Sequence, residues 1–315
     1  MGADLPGPGL VDRGRAGKLH GVGQCPPDRA VVQGEQERHA PIVQCSGQRS
    51  HVRVGPVRTL LTILLMATLT ACGMTAPSGP PNLQMVVLAT LPHDTSAFTE
   101  GLEFAGDRLY ESTGLQGRSS LRAGPPGQPP QVDVSLPTPL FGEGITVIGP
   151  KLWQLTWQNG VAIERDSATL AELRRVSYQG EGWGLCHQPG RLVMSNGSDQ
   201  LTFRDPVTFA SQGTVTVHGD GRTFSQLNEL ECVGEDVYAN VWQTNEILRI
   251  DPGSGTVTGR IDASGLLTPQ QRQDADVLNG IAAIPGTDEF LVTGKLWPTM
   301  FRVKFVTGQL GQDHA

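Results

Sequence analysis

The side chains best suited to chemistry are a carboxylate, an ammonium group and an amide, which stand in three separate motifs. Glu143 lies between two glycines just after Phe141, Lys295 opens a Lys-Leu-Trp-Pro string after a glycine, and Asn228 opens an Asn-Glu-Leu-Glu string. A carboxylate in a partly apolar pocket favours its protonated form and can shuttle protons. An ammonium group can stabilise charge on a carbonyl oxygen, and an amide can both donate and accept hydrogen bonds. Each motif alone is also compatible with an ordinary surface turn or strand end.

The aromatic residues indicate where such groups could meet. All five tryptophans lie between Trp153 and Trp297, and Trp157, Trp183 and Trp242 stand beside small or polar residues. We expect these three rings to wall a small pocket to which several strand ends contribute. The alternative is that they are ordinary core residues, since large rings are usually buried.

Other catalytic classes find little support in the sequence. The part of the chain expected to fold, residues 85–307, has His93, His187 and His218, without a paired metal-ligand spacing and without a Cys-x-x-Cys string. A Gly-x-Ser-x-Gly elbow, a phosphate loop and a dinucleotide fingerprint are also missing from the sequence. We therefore expect no metal and no cofactor. The formal charge of -7 argues against a nucleic-acid partner.

The spacing of short apolar runs predicts an all-β protein. From residue 85 onward, β-branched or apolar runs alternate with turns that contain Gly, Asn or Asp, and only the polar stretch 268–276 is predicted to be a short helix. Similar strings begin about forty to fifty-five residues apart, at Asp107, Pro150, Gly190, Glu235 and Asp288. This period is typical of propeller blades of four antiparallel strands. We predict a single-domain, five-bladed β-propeller over residues 85–307, followed by a tail at 308–315.

The segment before this domain has the features of an export signal. Residues 54–72 combine one Arg, a short apolar run and a small-residue end. The string at residues 69–73 resembles a lipobox, which makes Cys72 the expected lipidation site, whereas a plain secretory signal with an incidental Cys is the alternative. Residues 73–84 are predicted to be a flexible tether. We expect an exported protein, either a cell-envelope lipoprotein or a secreted one, that meets the membrane only through a lipid anchor.

Two further expectations concern the N-terminal extension and the cysteines. Residues 1–53 precede the signal-like segment and are expected to be disordered or misassigned, with translation starting at Val54 or Val57. If Cys72 is lipidated, Cys186 and Cys232 are the cysteines that remain. They permit one disulfide, but we expect free buried thiols.

Eight motifs, taken in order, resemble those of the plant and bacterial glutaminyl-peptide cyclotransferases. They are Ala97–Leu102, Tyr110–Ser120, Phe141–Gly144, Gly182–Leu185, Leu227–Glu231, Asn240–Thr244, Asp276–Ile281 and Gly294–Pro298. The resemblance runs from about Leu88 to Phe305. It implies a five-bladed propeller that converts an N-terminal glutamine to pyroglutamate and releases ammonia. Peptides or proteins with N-terminal glutamine are then the expected partners of a chain that we expect to be monomeric.

The resemblance and the residue chemistry imply a division of roles. Glu143 would move a proton from the substrate α-amine to the departing amide nitrogen. Lys295 and Asn228 would polarise the γ-carboxamide and stabilise the oxyanion. The substrate-binding rings would be Phe98, Phe141, Trp157, Trp183 and Trp242.

Glu100 departs from the plant sequences, which tend to have Gln at this position. We expect an additional carboxylate near the pocket mouth, where it would also contact substrate. It would either bind the substrate ammonium or raise the proton affinity of Glu143 through like-charge repulsion.

Two other functions compete with the cyclase. One is a non-catalytic propeller that binds peptide termini, and the other is a sugar-lactonase or quinoprotein propeller that requires a metal. The combination of Glu143 with Lys295 favours catalysis, and the shortage of His and of clustered Asp disfavours metal chemistry.

Overall fold

The computed structural model describes residues 79–307. The expected extension at 1–53, the signal-like segment with Cys72 at 54–72 and the tail at 308–315 lie outside the described residues, as does the first half of the tether at 73–84. In the range that the structure describes, no helix is both long and apolar enough to cross a membrane.

The described chain is all-β, and three of its sheets are built alike. After β1 (Asn82–Pro92), each of these sheets joins four consecutive antiparallel strands in chain order. The strands are β2 (Thr99–Ala105), β3 (Arg108–Thr113), β4 (Ser120–Gly124) and β5 (Val132–Ser135); β6 (Gly142–Ile148), β7 (Lys151–Thr156), β8 (Val161–Asp166) and β9 (Glu172–Ser177); and β10 (Leu185–Gln188), β11 (Arg191–Met194), β12 (Gln200–Arg204) and β13 (Ser211–Thr216).

A larger sheet holds the remaining strands of the described chain. They are β14 (His218–Gly219), β15 (Arg222–Thr223), β16 (Leu227–Val233), β17 (Asp236–Val241), β18 (Glu246–Asp251), β19 (Thr256–Asp262), β20 (Leu278–Ala283), β21 (Glu289–Gly294) and β22 (Thr299–Thr307). Strands β16–β19 form one antiparallel group, and β20–β22 form another that β1 completes by pairing with β22. A short parallel pairing of β1 with β19 joins the two groups.

Burial shows how the groups are oriented. In the second sheet, the first strand β6 is buried at residues 142–146, whereas the fourth strand β9, with its Glu-Leu-Arg-Arg-Val-Ser sequence, is almost entirely exposed. The first strands of the groups contact one another in the closed order β2, β6, β10, β16 and β20. These five strands therefore surround a common centre, where residues distant in sequence become neighbours.

Apolar side chains fill the space between successive groups. Trp153 and Leu155 of β7, for example, pack with Leu185 and Leu192 of the next sheet. Because each sheet is covered on both faces by its neighbours, apolar burial stabilises the arrangement of the groups as well as each sheet.

A disulfide links two of the central strands. Cys186 of β10 and Cys232 of β16 have their Cα atoms 5.4 Å apart and their sulfur atoms bonded, a separation that is usual for disulfides. The expectation of free buried thiols is therefore wrong. The two cysteines meet because β10 and β16 lie side by side in the fold, although the cysteines are 46 residues apart in the sequence.

Two predicted boundaries also differ from the structure. The helix expected at residues 268–276 is reduced to a three-residue 3-10 turn, Gln271–Gln273, in which no residue is buried. Without an apolar face to pack, a polar segment this short gains too little to form a full helix. Strand β1 begins at Asn82, inside the segment expected to be a tether, because its backbone pairs with β22 and β19.

Candidate active site

Irregular strand pairing places the polar residues of the site. In four of the central strands the register with the following strand shifts, between Thr99 and Gly101, Gly142 and Ile145, Leu227 and Leu230, and Leu278 and Ile281. Glu100, Glu143, Asn228 and Asn279 lie within these shifts. A bulge breaks the regular alternation of side chains and can turn one of them in a new direction. Each of these four strands thus supplies at least one buried polar residue near the common centre.

Glycines allow the central strands to approach one another closely. A Cβ atom on Gly144 would lie 2.5 Å from the carbonyl oxygen of Trp183, and a Cβ atom on Gly101 would lie 2.8 Å from the backbone nitrogen of Ile145. The backbone N–H of Gly144 donates a 2.7 Å hydrogen bond to that Trp183 carbonyl. At Gly144 the close approach of the neighbouring backbone therefore requires a residue without a side chain.

A cavity of about 410 Å³ lies where these strand ends meet. Its wall contains every residue that the sequence predicted to be catalytic or substrate-binding, namely Phe98, Glu100, Phe141, Glu143, Trp157, Trp183, Asn228, Trp242 and Lys295. The predicted lipidation site Cys72 lies outside the described residues. The remaining lining residues are Leu115, Gln243, Asp276 and Val277. The size is suitable for a small polar group carried on a short aliphatic chain.

Glu143 is a buried acid at this cavity. It is only 5% exposed, and its Oε2 atom has no hydrogen-bond partner among the described residues. Burial raises the pKa of Glu143 well above its ordinary value, and the neighbouring Glu100 carboxylate raises it further, while Lys295 opposes the shift. Burial and the Glu100 carboxylate thus favour the protonated form of Glu143, and a carboxylic acid of raised pKa can donate a proton and then take one back.

Glu100 forms a buried ion pair with Lys295. The Lys295 ammonium is 2.8 Å from the Glu100 carboxylate, and it lies 4.6 Å from the centre of the Phe98 ring. Burial raises the pKa of Glu100 to about 7, against the opposing effect of Lys295. At 2% exposure Glu100 belongs to the interior of the site. The expectation of a carboxylate near the pocket mouth is therefore wrong.

The backbone of Asn228 is hydrogen-bonded to a neighbouring segment, whereas its side-chain oxygen is available to a ligand. Its carbonyl oxygen accepts a 2.6 Å hydrogen bond from the Ser195 hydroxyl. Its side-chain Oδ1 is buried and has no partner among the residues that the structure describes. Burying an amide without partners is unfavourable, so Asn228 is well placed to bind a substrate amide or carbonyl.

The aromatic residues form two pairs around the cavity. The Phe141 and Trp157 ring centres are 5.5 Å apart, and those of Trp183 and Trp242 are 5.6 Å apart in an edge-to-face arrangement. Glu181 joins the two pairs, because its Oε2 atom accepts hydrogen bonds of 2.9 and 3.0 Å from the indole nitrogens of Trp157 and Trp183. Ring orientation is thus fixed before any ligand enters.

Sequence reasoning missed several residues of the site. Asn279 donates from Nδ2 to the Thr99 carbonyl oxygen at 3.0 Å and to Glu100 Oε2 at 3.4 Å. Asn279 stands in the Asp276–Ile281 motif, and its Asn-Gly pair follows the same local pattern as the Glu-Gly pairs that begin at 100 and 143, but the sequence analysis gave it no role. Glu181 carried no comparable signal.

Within residues 79–307, no set of three or more His, Cys, Asp or Glu side chains has an arrangement that could hold a metal ion. The cavity is lined by a buried acid, a buried ion pair, amides and aromatic rings.

Comparison with known proteins assigns the chain to a family. Residues 59–305 match the family model for glutamine cyclotransferase. The chain is 37% identical over 235 residues to a glutaminyl-peptide cyclotransferase of Arabidopsis thaliana, covering 70% of this chain and 71% of the relative. It also matches the crystal structure of Myxococcus xanthus glutaminyl cyclase with a TM-score of 0.66 and 39% identity, over 73% of this chain and 100% of that one. The chain belongs to the glutamine cyclotransferase family.

Proposed function

We propose that this protein cyclises the N-terminal glutamine of peptides or proteins to pyroglutamate and releases ammonia. The observation that carries the proposal is the convergence of Glu143, Asn228 and Lys295 in one ring-walled cavity. Family membership supports the same reaction class. A function argued from fold alone would be weak, whereas here the side chains needed for acyl transfer meet at one point.

Glu143 supplies the proton transfers in the proposed mechanism. The substrate α-amine attacks the side-chain carbonyl carbon, so that a nitrogen–carbon bond forms and closes the ring. Glu143 gives its proton to the amide nitrogen, the carbon–nitrogen bond breaks and ammonia leaves. The carboxylate then takes the proton from the ring nitrogen, which restores the neutral acid. The raised pKa of Glu143 suits this two-way role because the acid must be protonated when the cycle starts.

Lys295 and Asn228 stabilise the tetrahedral intermediate. The carbonyl oxygen becomes an anion when the amine attacks, and the Lys295 ammonium and the Asn228 amide stand at the cavity to receive it. Because Glu100 holds the ammonium at 2.8 Å, Lys295 does not have to be reoriented during the reaction. Preorganised donors of this kind are worth about 10²–10³ in rate.

The rings would hold glutamine in the shape that reacts. Trp157, Trp183 and Trp242, with Phe98 and Phe141, enclose a space in which the side chain folds back onto its own amine. Fixing that geometry replaces the freedom of a flexible chain by a near-attack conformation.

The proposed scaffold is a five-bladed β-propeller. Its support is the sequence of groups of four antiparallel strands, the closed contact order of the central strands and the completion of the last group by β1. Joining the first and last strands of the chain in one blade would close the ring of sheets. We take the domain to be residues 85–307 together with the N-terminal strand residues 82–84, acting as a monomer.

We also propose that the protein is exported. The bonded pair Cys186–Cys232 supports this, because disulfides persist in oxidising compartments. The signal-like residues 54–72 would direct the export. With lipidation at Cys72 the protein would be a cell-envelope lipoprotein, and without it the protein would be secreted. Fractionation of cells that express wild type or Cys72→Ala tests the anchor: membrane association that is unchanged in the variant contradicts it.

The direct test of the activity is ammonia release. Purified protein is incubated with a peptide that begins with glutamine, with and without a chelator, and both ammonia and pyroglutamate are measured. Turnover that continues with chelator supports the proposal, and turnover that stops with it points to a metal-dependent mechanism. Binding of the peptide without turnover would identify a peptide-binding module instead.

A further inference from the structure

A second cavity adjoins the candidate active site. It has a volume of about 370 Å³ and shares Gln243, Asp276 and Val277 with the first cavity. The three shared wall residues make the two spaces neighbours.

Two short segments form walls of both cavities. Along the first segment, Trp242 lines the active-site cavity, Gln243 lines both, and Thr244 and Asn245 line the second cavity. Along the other segment, Asp276 and Val277 line both. Each of the two segments therefore contributes to the walls of both cavities.

The segment of Asp276 and Val277 is hydrogen-bonded to the loop that carries Lys295. The backbone N–H of Asp276 donates to the Lys295 carbonyl oxygen at 2.9 Å, and the N–H of Lys295 donates to the Val277 carbonyl oxygen at 2.9 Å. The Trp297 indole nitrogen donates to the Asp276 carbonyl oxygen at 2.8 Å. The wall that both cavities share is therefore positioned by the same loop that carries Lys295.

The chemistry of the second cavity suits an extended peptide. The side-chain amides of Gln243 and Asn245 take part in no hydrogen bond within residues 79–307, and Arg272 uses only its Nε atom, which donates to the Leu267 carbonyl oxygen at 3.1 Å. Amide and guanidinium groups can bond the N–H and C=O groups of a peptide backbone. Leu266 and Val277 are half-buried and offer apolar surface for a side chain.

We propose that this second cavity is a subsite for the residues that follow the N-terminal glutamine, so that the enzyme acts preferentially on peptides of about four residues or longer. The inference rests on the proposed cyclase function, which places the glutamine in the first cavity. Residue two then lies beside Gln243, which lines both cavities, and residues three and four lie along Asn245 with their carbonyl oxygens near Arg272. The Gln243 backbone, with φ of 63°, holds its side chain at the junction of the two spaces.

The test compares two amidated substrates, Gln-Ala and Gln-Ala-Ala-Ala, so that a terminal carboxylate does not contribute. Wild type should have a kcat/KM about fivefold to tenfold higher for the tetrapeptide, since one or two additional hydrogen bonds are worth that much. Arg272→Ala and the space-filling Asn245→Trp should remove this advantage and leave dipeptide turnover unchanged. Gln128→Ala, in a different cavity lined by Pro125 and Pro130, is the matched control and should keep the advantage.

The outcomes separate the subsite from the activity itself. Equal kcat/KM values for the two substrates in wild type would overturn the subsite and leave the cyclase intact. A tetrapeptide advantage that survives in both Arg272→Ala and Asn245→Trp would also overturn it. Failure of wild type to release ammonia from either substrate would contradict the proposed function on which the subsite rests.

Discussion

The ammonium of Lys295 is 2.8 Å from the carboxylate of Glu100, and both side chains are almost completely removed from solvent. Glu143 lines the same cavity and experiences both charges, since Glu100 raises its pKa and Lys295 lowers it. A buried pair of this kind fixes the positions of two charged groups more than it stabilises the fold. In this site the pair holds a cation at the cavity, while burial and the Glu100 carboxylate raise the pKa of Glu143.

Replacing Glu100 should move the pH profile. In Glu100→Gln a negative neighbour of Glu143 is lost and the positive charge of Lys295 is no longer compensated, so the pKa of Glu143 falls. Because the mechanism needs protonated Glu143, the alkaline limb of kcat/KM should move to lower pH. The measurement is the pH dependence of ammonia release in wild type and variant. An alkaline limb at the same pH in both would show that Glu100 does not control the acidity of Glu143.

Removing Lys295 should affect stability and catalysis separately. Lys295→Met leaves Glu100 buried without its partner, which costs about 3–5 kcal/mol of unfolding free energy, and lowers kcat by about 10²–10³. The double variant Lys295→Met with Glu100→Gln removes both charges and should recover most of the stability but not the activity. Urea unfolding and steady-state kinetics on all three proteins provide the test. Recovery of activity in the double variant would exclude a direct role for the ammonium.

Glu229 should make the protein less stable as the pH rises. Its carboxyl accepts hydrogen bonds from the backbone N–H groups of Ile281 at 2.8 Å and Leu102 at 3.3 Å. Burial raises the pKa of Glu229 well above its ordinary value of 4.5, so the folded state binds its proton more tightly than the unfolded state. The unfolding free energy therefore falls as pH rises from about 4.5 through the raised pKa, by about 1.4 kcal/mol for each unit.

Glu229→Gln isolates this contribution. The amide keeps an acceptor oxygen but cannot ionise, so the difference in unfolding free energy between variant and wild type should grow in favour of the variant as the pH rises. Urea unfolding at a series of pH values measures that difference. A difference that stays constant with pH would mean that Glu229 does not ionise over this range.

The disulfide between Cys186 and Cys232 should stabilise the fold without taking part in the reaction. It closes a loop of 46 residues, and loss of such a bridge costs about 2–4 kcal/mol. We expect the Cys186→Ala, Cys232→Ala double variant to unfold at lower urea concentration, with kcat unchanged at temperatures where it is folded. Unaltered unfolding, or a large fall in kcat, would contradict this assignment.

The sequence predicted residues of the site best where a single motif contains both a reactive side chain and the residues that form a turn. The strings around Glu143, Asn228 and Lys295 combine a reactive side chain with glycine or aromatic neighbours, and the repeated strings that begin at residues 107, 150, 190, 235 and 288 correspond to the second strands of the successive groups. All-β structure and the members of the site follow from these patterns.

The missed features depend on contacts between distant strands. The pairing of Glu100 with Lys295 and Asn279 joins residues from different sheets, and the hydrogen bond from Trp157 to Glu181 joins residues 24 positions apart. The disulfide arises in the same way. No local pattern records such contacts, because they exist only after the central strands have closed around one point.

The most direct test of the account is pyroglutamate formation by Glu143→Gln. Glutamine is nearly the same size as glutamate but cannot exchange a proton with the substrate. We predict that the variant folds with wild-type circular dichroism, binds an amidated glutamine tetrapeptide, and has a kcat lower by about 10²–10⁴ across the whole pH range. A kcat within a few fold of wild type would contradict the claim that Glu143 carries the proton from the amine to the departing ammonia.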